Sequence, residues 1–200
     1  MRKYISMTFV LSAAVLFVFS QMQCSSEKKE NSKMSHEELV ARGKYLVNYG
    51  GCNDCHTPKV MTSQGPLPDS TKLLSGHPAS MTIGPIDTAV TATTWLYANM
   101  GLTAWAGPWG VSYAANITPD DQTGIGTWTE EIFFKAMREG KYFGTGRPLL
   151  PPMPWQSLAG LKDEDLRAIF AYLKSIKPIN NKVPDPVPRN MVERTIKARG

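Results

Sequence analysis

Cys52-Asn53-Asp54-Cys55-His56 is the stretch that decides how this chain is read. Two thiols three positions apart, followed at once by an imidazole, form the pattern of covalent haem attachment. Each thiol can add across one vinyl group of a porphyrin to make a thioether, and the adjacent histidine binds iron through a ring nitrogen. The spacing suits one helical turn, which carries both sulfurs to one edge of the ring and turns His56 beneath its centre. Cys52 and Cys55 are therefore the expected attachment residues, His56 the proximal iron ligand and a single covalent haem c the cofactor. Zinc fits poorly, because no second Cys or His pair at ligand spacing is present. A thioredoxin-like dithiol would follow a strand, whereas the residues before Cys52 are patterned as a helix.

The N-terminus places this chemistry outside the cytoplasm. Arg2 and Lys3 precede an apolar run from Ile5 to Phe19, so residues 1–23 read as a signal peptide, with an uncleaved anchor as the alternative. Cys24, the one cysteine the haem does not use, follows directly. Residues 24–35 after it are polar and read as a flexible tether. The arrangement resembles a bacterial lipoprotein, with Cys24 as the lipidation residue, although Gln21 and Gln23 depart from the usual residues before such a cysteine. Ordinary cleavage nearby, leaving a free thiol, is the other reading. Export to the periplasm or cell envelope, with a membrane tether through Cys24, agrees with haem attachment, which takes place outside the bacterial cytoplasm. Removing Arg2 and Lys3 with residues 1–23 takes the formal charge from +5 to +3. So weak a balance argues against nucleic acid as a partner.

The pattern of the folded part starts at Ser35-His36-Glu37-Glu38, a capping box. Leu39, Val40, Gly43, Leu46 and Val47 then recur at helical spacing until Gly50-Gly51. A Gly/Pro-rich region from Thr57 to about Gly126 follows, and within it Ala89 to Met100 fits a short helix or a strand equally well. Loops of this length usually serve a site, and wrapping a cofactor is such a service. A second helix is expected from the Thr127-Trp128-Thr129-Glu130 box to Gly140, with Ile132, Phe133, Ala136 and Met137 on one face. A third runs from Asp163 to Lys177, acidic in its first turn, with Leu166, Ile169, Phe170 and Leu173 as its buried stripe. Residues 179–200 read as an extended C-terminal tail.

The sixth position on the iron decides what a haem does. An open position permits ligand binding or peroxide chemistry, and a bound thioether favours electron transfer. Met153, in Leu150-Pro151-Pro152-Met153-Pro154-Trp155, is the candidate distal ligand, because the prolines stiffen its loop. A methionine that merely fills a gap is the plain alternative. His77, in Ser75-Gly76-His77-Pro78, reads as an exposed turn residue before a second axial histidine, and His36 as a solvated one. Asp120-Asp121 with Thr123-Gly124 reads as a turn rather than a cation loop.

The order of these elements resembles the class I cytochromes c. Ala115-Asn116-Ile117-Thr118-Pro119-Asp120, Thr123 to Glu131 and Leu150 to Trp155 are closer still to one group. These are the cytochrome c domains related to the cytochrome subunits of bacterial alcohol and aldehyde dehydrogenases. The similarity covers about residues 36–178, the expected cytochrome domain. Those subunits usually hold three such domains and this chain has one, which leaves the particular partner open. The resemblance implies an all-α class I cytochrome c fold whose first and last helices cross at a glycine, Gly43, under Phe170 or Tyr172. It also implies that Asn116–Thr118, Trp128 and Arg147 lie near the haem edge, with ordinary packing as the alternative. The expected function is an electron carrier rather than an enzyme, moving single electrons between dehydrogenase, oxidase or quinol-linked partners through a His56/Met153-ligated haem. A haem enzyme or gas sensor with an open or displaceable sixth position is the alternative, and an assembly subunit with a structural haem is a further one.

Overall fold

The computed structural model describes residues 34–84, 86 and 94–192. The expected signal peptide, Cys24, nearly all of the tether, part of the Ala89–Met100 segment and residues 193–200 of the tail lie outside them. Helix α1 spans His36–Tyr49 and begins with the anticipated capping box: Glu38 N–H donates to the Ser35 hydroxyl (3.2 Å), and Ser35 N–H to the Glu38 carboxylate (2.7 Å). Gly51, at φ +68°, supplies the left-handed turn from α1 into the short helix α2, Cys52–His56.

Strands β1 (Lys59–Thr62) and β2 (Gly65–Pro68) then form a hairpin. A four-stranded antiparallel sheet follows, ordered β3 (Tyr97–Ala98), β4 (Ala104–Gly107), β5 (Gly110–Tyr113) and β6 (Val187–Pro188). Between β5 and β6 in sequence lie α3 (Glu130–Glu139), a single 3-10 turn at Tyr142–Gly144, α4 (Trp155–Ala159) and α5 (Asp163–Ser175).

The two sheets overturn the all-α fold class expected from the sequence. Their strands carry little sequence signal for a physical reason. Alternation of apolar and polar residues marks a strand with one wet face, but all four residues of β4 are buried. Strand β6 has no local signal at all; it exists because residues after α5 return to pair Val111 with Val187 and Gly110 with Pro188.

The helical core follows the sequence pattern more closely. Phe133, Ala136 and Met137 of α3 are buried together with Leu166, Ile169 and Leu173 of α5 and Val47 of α1. The start of α3 lies two residues later than expected. Thr129, not Thr127, is the N-cap, its hydroxyl accepting from Ile132 N–H at 3.2 Å. Helices α1 and α5 meet at Gly43, but the partner there is backbone rather than an aromatic face. A Cβ on Gly43 would strike the Ala168 carbonyl and come within 2.7 Å of Tyr172 Cβ. Phe170 instead stacks on Phe133, with ring centroids 5.1 Å apart. Arg42 bridges the same crossing from α1 to Asp165 (2.5 Å).

His77 departs furthest from its sequence reading. It is wholly buried, not exposed, because its ring is a bracket between two loops. The ring packs on Tyr113 at 4.9 Å between centroids. Nε2 bonds the Met81 carbonyl (3.0 Å), which can only accept, so Nε2 carries the proton. Nδ1 is then the acceptor and takes the Thr103 hydroxyl at 2.9 Å. Burial pushes the pKa of His77 below its ordinary value, outweighing the Met81 bond.

Two outcomes follow from this packing. Gly43→Ala forces α1 and α5 apart and should cost about 1–3 kcal/mol in denaturant unfolding, the range for an overpacked contact. His77 binds a proton more readily when unfolded than when folded, so stability should fall as pH drops below about 6.5. Unfolding measured between about pH 7.5 and about pH 5.5 should show this slope, and a His77→Gln variant should show a shallower one.

Candidate haem site

Helix α2 is built to hold three side chains in fixed relation. Lys59 Nζ donates to the carbonyls of Asn53 (3.2 Å), Asp54 (2.9 Å) and Thr57 (2.6 Å), placing a cation at the negative end of the helix. Thr57 is fully buried; its hydroxyl donates to the Asn53 side chain (2.9 Å) and accepts from Leu74 N–H (2.9 Å). Cys52 and Cys55 are half-buried and unbonded to one another. Burial pushes both thiols above their ordinary pKa, with the Asp54 charge adding to the effect at Cys55.

His56 is buried, and one bond defines its chemistry. Nδ1 lies 2.7 Å from the Ala115 carbonyl oxygen, which can only accept. The proton therefore sits on Nδ1, leaving Nε2 as the free lone pair. Burial lowers the pKa of the ring and so favours its neutral form, against the opposing effect of the Ala115 bond. A neutral imidazole whose second nitrogen is oriented by a carbonyl is the form in which histidine ligates metals.

The Ala115 carbonyl is itself held in place. Gly76 N–H donates to the His56 carbonyl (2.7 Å), His77 N–H to that of Ala114 (2.9 Å) and Ile117 N–H to that of Leu74 (3.0 Å). Gly76 has φ +80°, and a Cβ there would lie 2.7 Å from the Ala115 oxygen. Only glycine satisfies both the conformation and the space.

Met153 is half-buried and packs on the same apolar core as Cys52. Its loop is anchored at both ends: Met153 N–H donates to Leu150 (3.2 Å) and Trp155 N–H to Met153 (2.9 Å). The Ser112 hydroxyl donates to the Pro151 carbonyl at 2.6 Å, tying the loop to β5. Two unpaired thiols and a neutral imidazole on one helical turn, with a thioether bordering the same core, make a donor set that fits haem c. Cys24 lies outside the described residues.

The remaining candidates take the following places in the fold. His36 is exposed on α1. Trp128 packs edge-on against Tyr142 and Phe143, and Arg147 lies over the Tyr142 ring at 5.3 Å. Asp120 caps a turn, its carboxylate accepting from Gln122 N–H (3.2 Å) and from Thr123 N–H (2.8 Å) and hydroxyl (2.6 Å). Among the described residues no cluster of three His, Cys, Asp or Glu could hold a separate metal ion. Sequence reasoning missed Ala115, whose part is played by its backbone, and Gly76, whose part is to have no side chain.

No family model matches the chain. It is similar, however, to several curated proteins. The cytochrome c subunit of alcohol dehydrogenase (quinone) from Gluconobacter oxydans is 34% identical over 152 residues, which is 74% of this chain and 24% of that protein. The gluconate 2-dehydrogenase cytochrome c subunit of Pantoea cypripedii is 32% identical over 146 residues, 72% of this chain and 25% of that protein. A nicotinate dehydrogenase subunit of Pseudomonas putida is 44% identical over 87 residues, 44% of this chain and 7% of that protein. The chain thus spans a quarter or less of the length of these relatives. The stretches of similarity to the first two cover most of the chain, and with them it belongs to the cytochrome c family, as a relative of the cytochrome c subunits of alcohol and gluconate dehydrogenases.

Proposed function

We propose that this chain is an exported electron carrier with one covalent haem c, passing single electrons between a dehydrogenase or quinol-linked donor and a further redox protein. The observation that carries the reading is His56: a buried imidazole, fixed through Nδ1 at 2.7 Å from the Ala115 carbonyl, directly after two unpaired cysteines. Cys52 and Cys55 form the thioethers, and His56 Nε2 is the proximal ligand. Met153 is the distal ligand. Bound at these residues, the haem iron supplies a reversible one-electron change.

The chain's own part is to set potential and access. The soft thioether of Met153 favours the ferrous state, and the apolar residues around Cys52 and Met153 disfavour added charge, so a positive potential is expected. The names of the relatives, cytochrome c subunits of dehydrogenases, support a dehydrogenase as one partner. Residues 1–23 as a signal peptide and Cys24 as a lipid-bearing residue complete the reading, holding the carrier at a membrane surface in the periplasm. Among the described residues no helix is long and apolar enough to cross a membrane.

Met153→Ala tests the closed, six-coordinate site. The oxidised variant should lose the sulfur-to-iron charge-transfer band, and its reduced form should bind carbon monoxide under native conditions. Its potential should fall on the order of 0.1–0.3 V, inside the roughly 0.8 V range that axial ligation commands. An unchanged low-spin spectrum and potential would remove Met153 from the iron. Ready carbon monoxide binding by the unaltered protein would favour a sensor or enzyme with an open position.

A further inference from the structure

The segment after α5 makes more contacts with the candidate haem site than a tail needs. Its polar groups converge on the two backbone stretches that surround His56. Asn181 Nδ2 donates to the carbonyls of Ser75 (2.7 Å) and His77 (2.9 Å), the residues on either side of Gly76. Asn181 Oδ1 accepts from Ala79 N–H at 2.9 Å, and its own N–H donates to the Thr123 hydroxyl at 3.0 Å. Both amide protons and the amide oxygen are thus engaged.

The second stretch is reached from the same place. Asn116, the residue after Ala115, is buried, and its Nδ2 donates to the Ile179 carbonyl (2.8 Å) and the Thr123 hydroxyl (3.1 Å). Ile179 N–H donates to the Thr118 hydroxyl at 3.1 Å. A closed circuit results. It leaves the His56 ring through the Ala115 carbonyl, passes by Asn116 to the Ile179–Asn181 backbone and crosses the Asn181 amide to Ser75 and His77. It then returns to the His56 carbonyl through Gly76 N–H.

We infer that Asn181 is a positioning residue for the His56 imidazole, acting on it through Gly76 and the Ala115 carbonyl. The inference rests on the proposed role of His56 as a haem ligand. Ser75 and His77 are the fixed points on either side of Gly76; His77 N–H donates to the Ala114 carbonyl (2.9 Å), and the Ala114–Ala115 backbone fills the space where a Gly76 Cβ would lie, within 2.7 Å of it. The Nδ1–H bond of a ligating histidine sets how strongly the ring donates to iron: a firm bond gives a more electron-rich ring and a lower potential. Asn181 keeps that bond firm, so its loss should weaken the bond and raise the potential.

The test uses the full-length, exported haem protein and three variants. Asn181→Ala removes the bridge. Asn181→Asp is isosteric, keeps the acceptor for Ala79 N–H and loses both donations. Thr129→Ala removes the α3 N-cap, lowering stability without touching the circuit. The expected result is hydrogen exchange of the His56 ring N–H accelerated by roughly tenfold or more in both Asn181 variants, against little change in Thr129→Ala. Asn181→Ala should also show a raised potential that Thr129→Ala does not share. If Asn181→Ala moves only the thermal midpoint, or if ring exchange in Asn181→Asp matches the unaltered protein, Asn181 does not position His56 and the inference is overturned. Absence of haem from Cys52 and Cys55 in the unaltered protein would overturn the proposed function instead, and this inference with it.

Discussion

The bond between His56 Nδ1 and the Ala115 carbonyl is the contact on which the arrangement depends. It joins groups 59 residues apart and does two things at once. It chooses the tautomer that leaves Nε2 free, and it fixes the helix carrying Cys52 and Cys55 against the loop that leads from β5 to α3. A backbone carbonyl suits this task because it cannot donate, titrate or rotate independently of the chain. Its position has to be determined by neighbours, and Gly76, Asn116 and the Ile179–Asn181 segment are those neighbours.

That dependence explains why the chain needs more than helices. The helical core of α1, α3 and α5 gives Cys52 and Met153 a common apolar support. The second half of the His56 surroundings comes from irregular segments outside that core. The four-stranded sheet gives those loops a rigid edge: β5 ends at Tyr113, two residues before Ala115, and its Ser112 hydroxyl holds the Pro151 carbonyl in the Met153 loop. Pairing of β5 with β6 also anchors the segment that bears Asn181. The helices and the sheet thus support opposite sides of one proposed ligand set.

How much of this is legible in the sequence varies with the range of the interaction. The capping box at Ser35, the Gly50-Gly51 stop and the apolar stripe of α5 are local signals, and the structure reproduces them, save that Phe170 of the stripe is only partly buried. The Thr127 box matches the helix-start pattern but Thr129 forms the cap, since two overlapping Thr residues compete and tertiary packing selects one. Strands β3 to β6 lack a readable period because they are short, and one of them is buried throughout. Ser75-Gly76-His77-Pro78 does carry turn chemistry, with Gly76 at φ +80°, yet the turn is packed inside. Local backbone preference says nothing about burial. The Ala115 carbonyl is invisible because its work is independent of residue type, and Asn181 because the partners of its side chain are more than 100 residues away.

The central claim is that Cys52, Cys55 and His56 hold a covalent haem, and peptide mass spectrometry of the exported protein tests it most directly. A digest with a protease that cuts after lysine should yield Tyr45–Lys59 carrying the mass of one haem, with both cysteines resistant to alkylation. Recovery of that peptide at its unmodified mass, with Cys52 and Cys55 freely alkylated, would contradict the account.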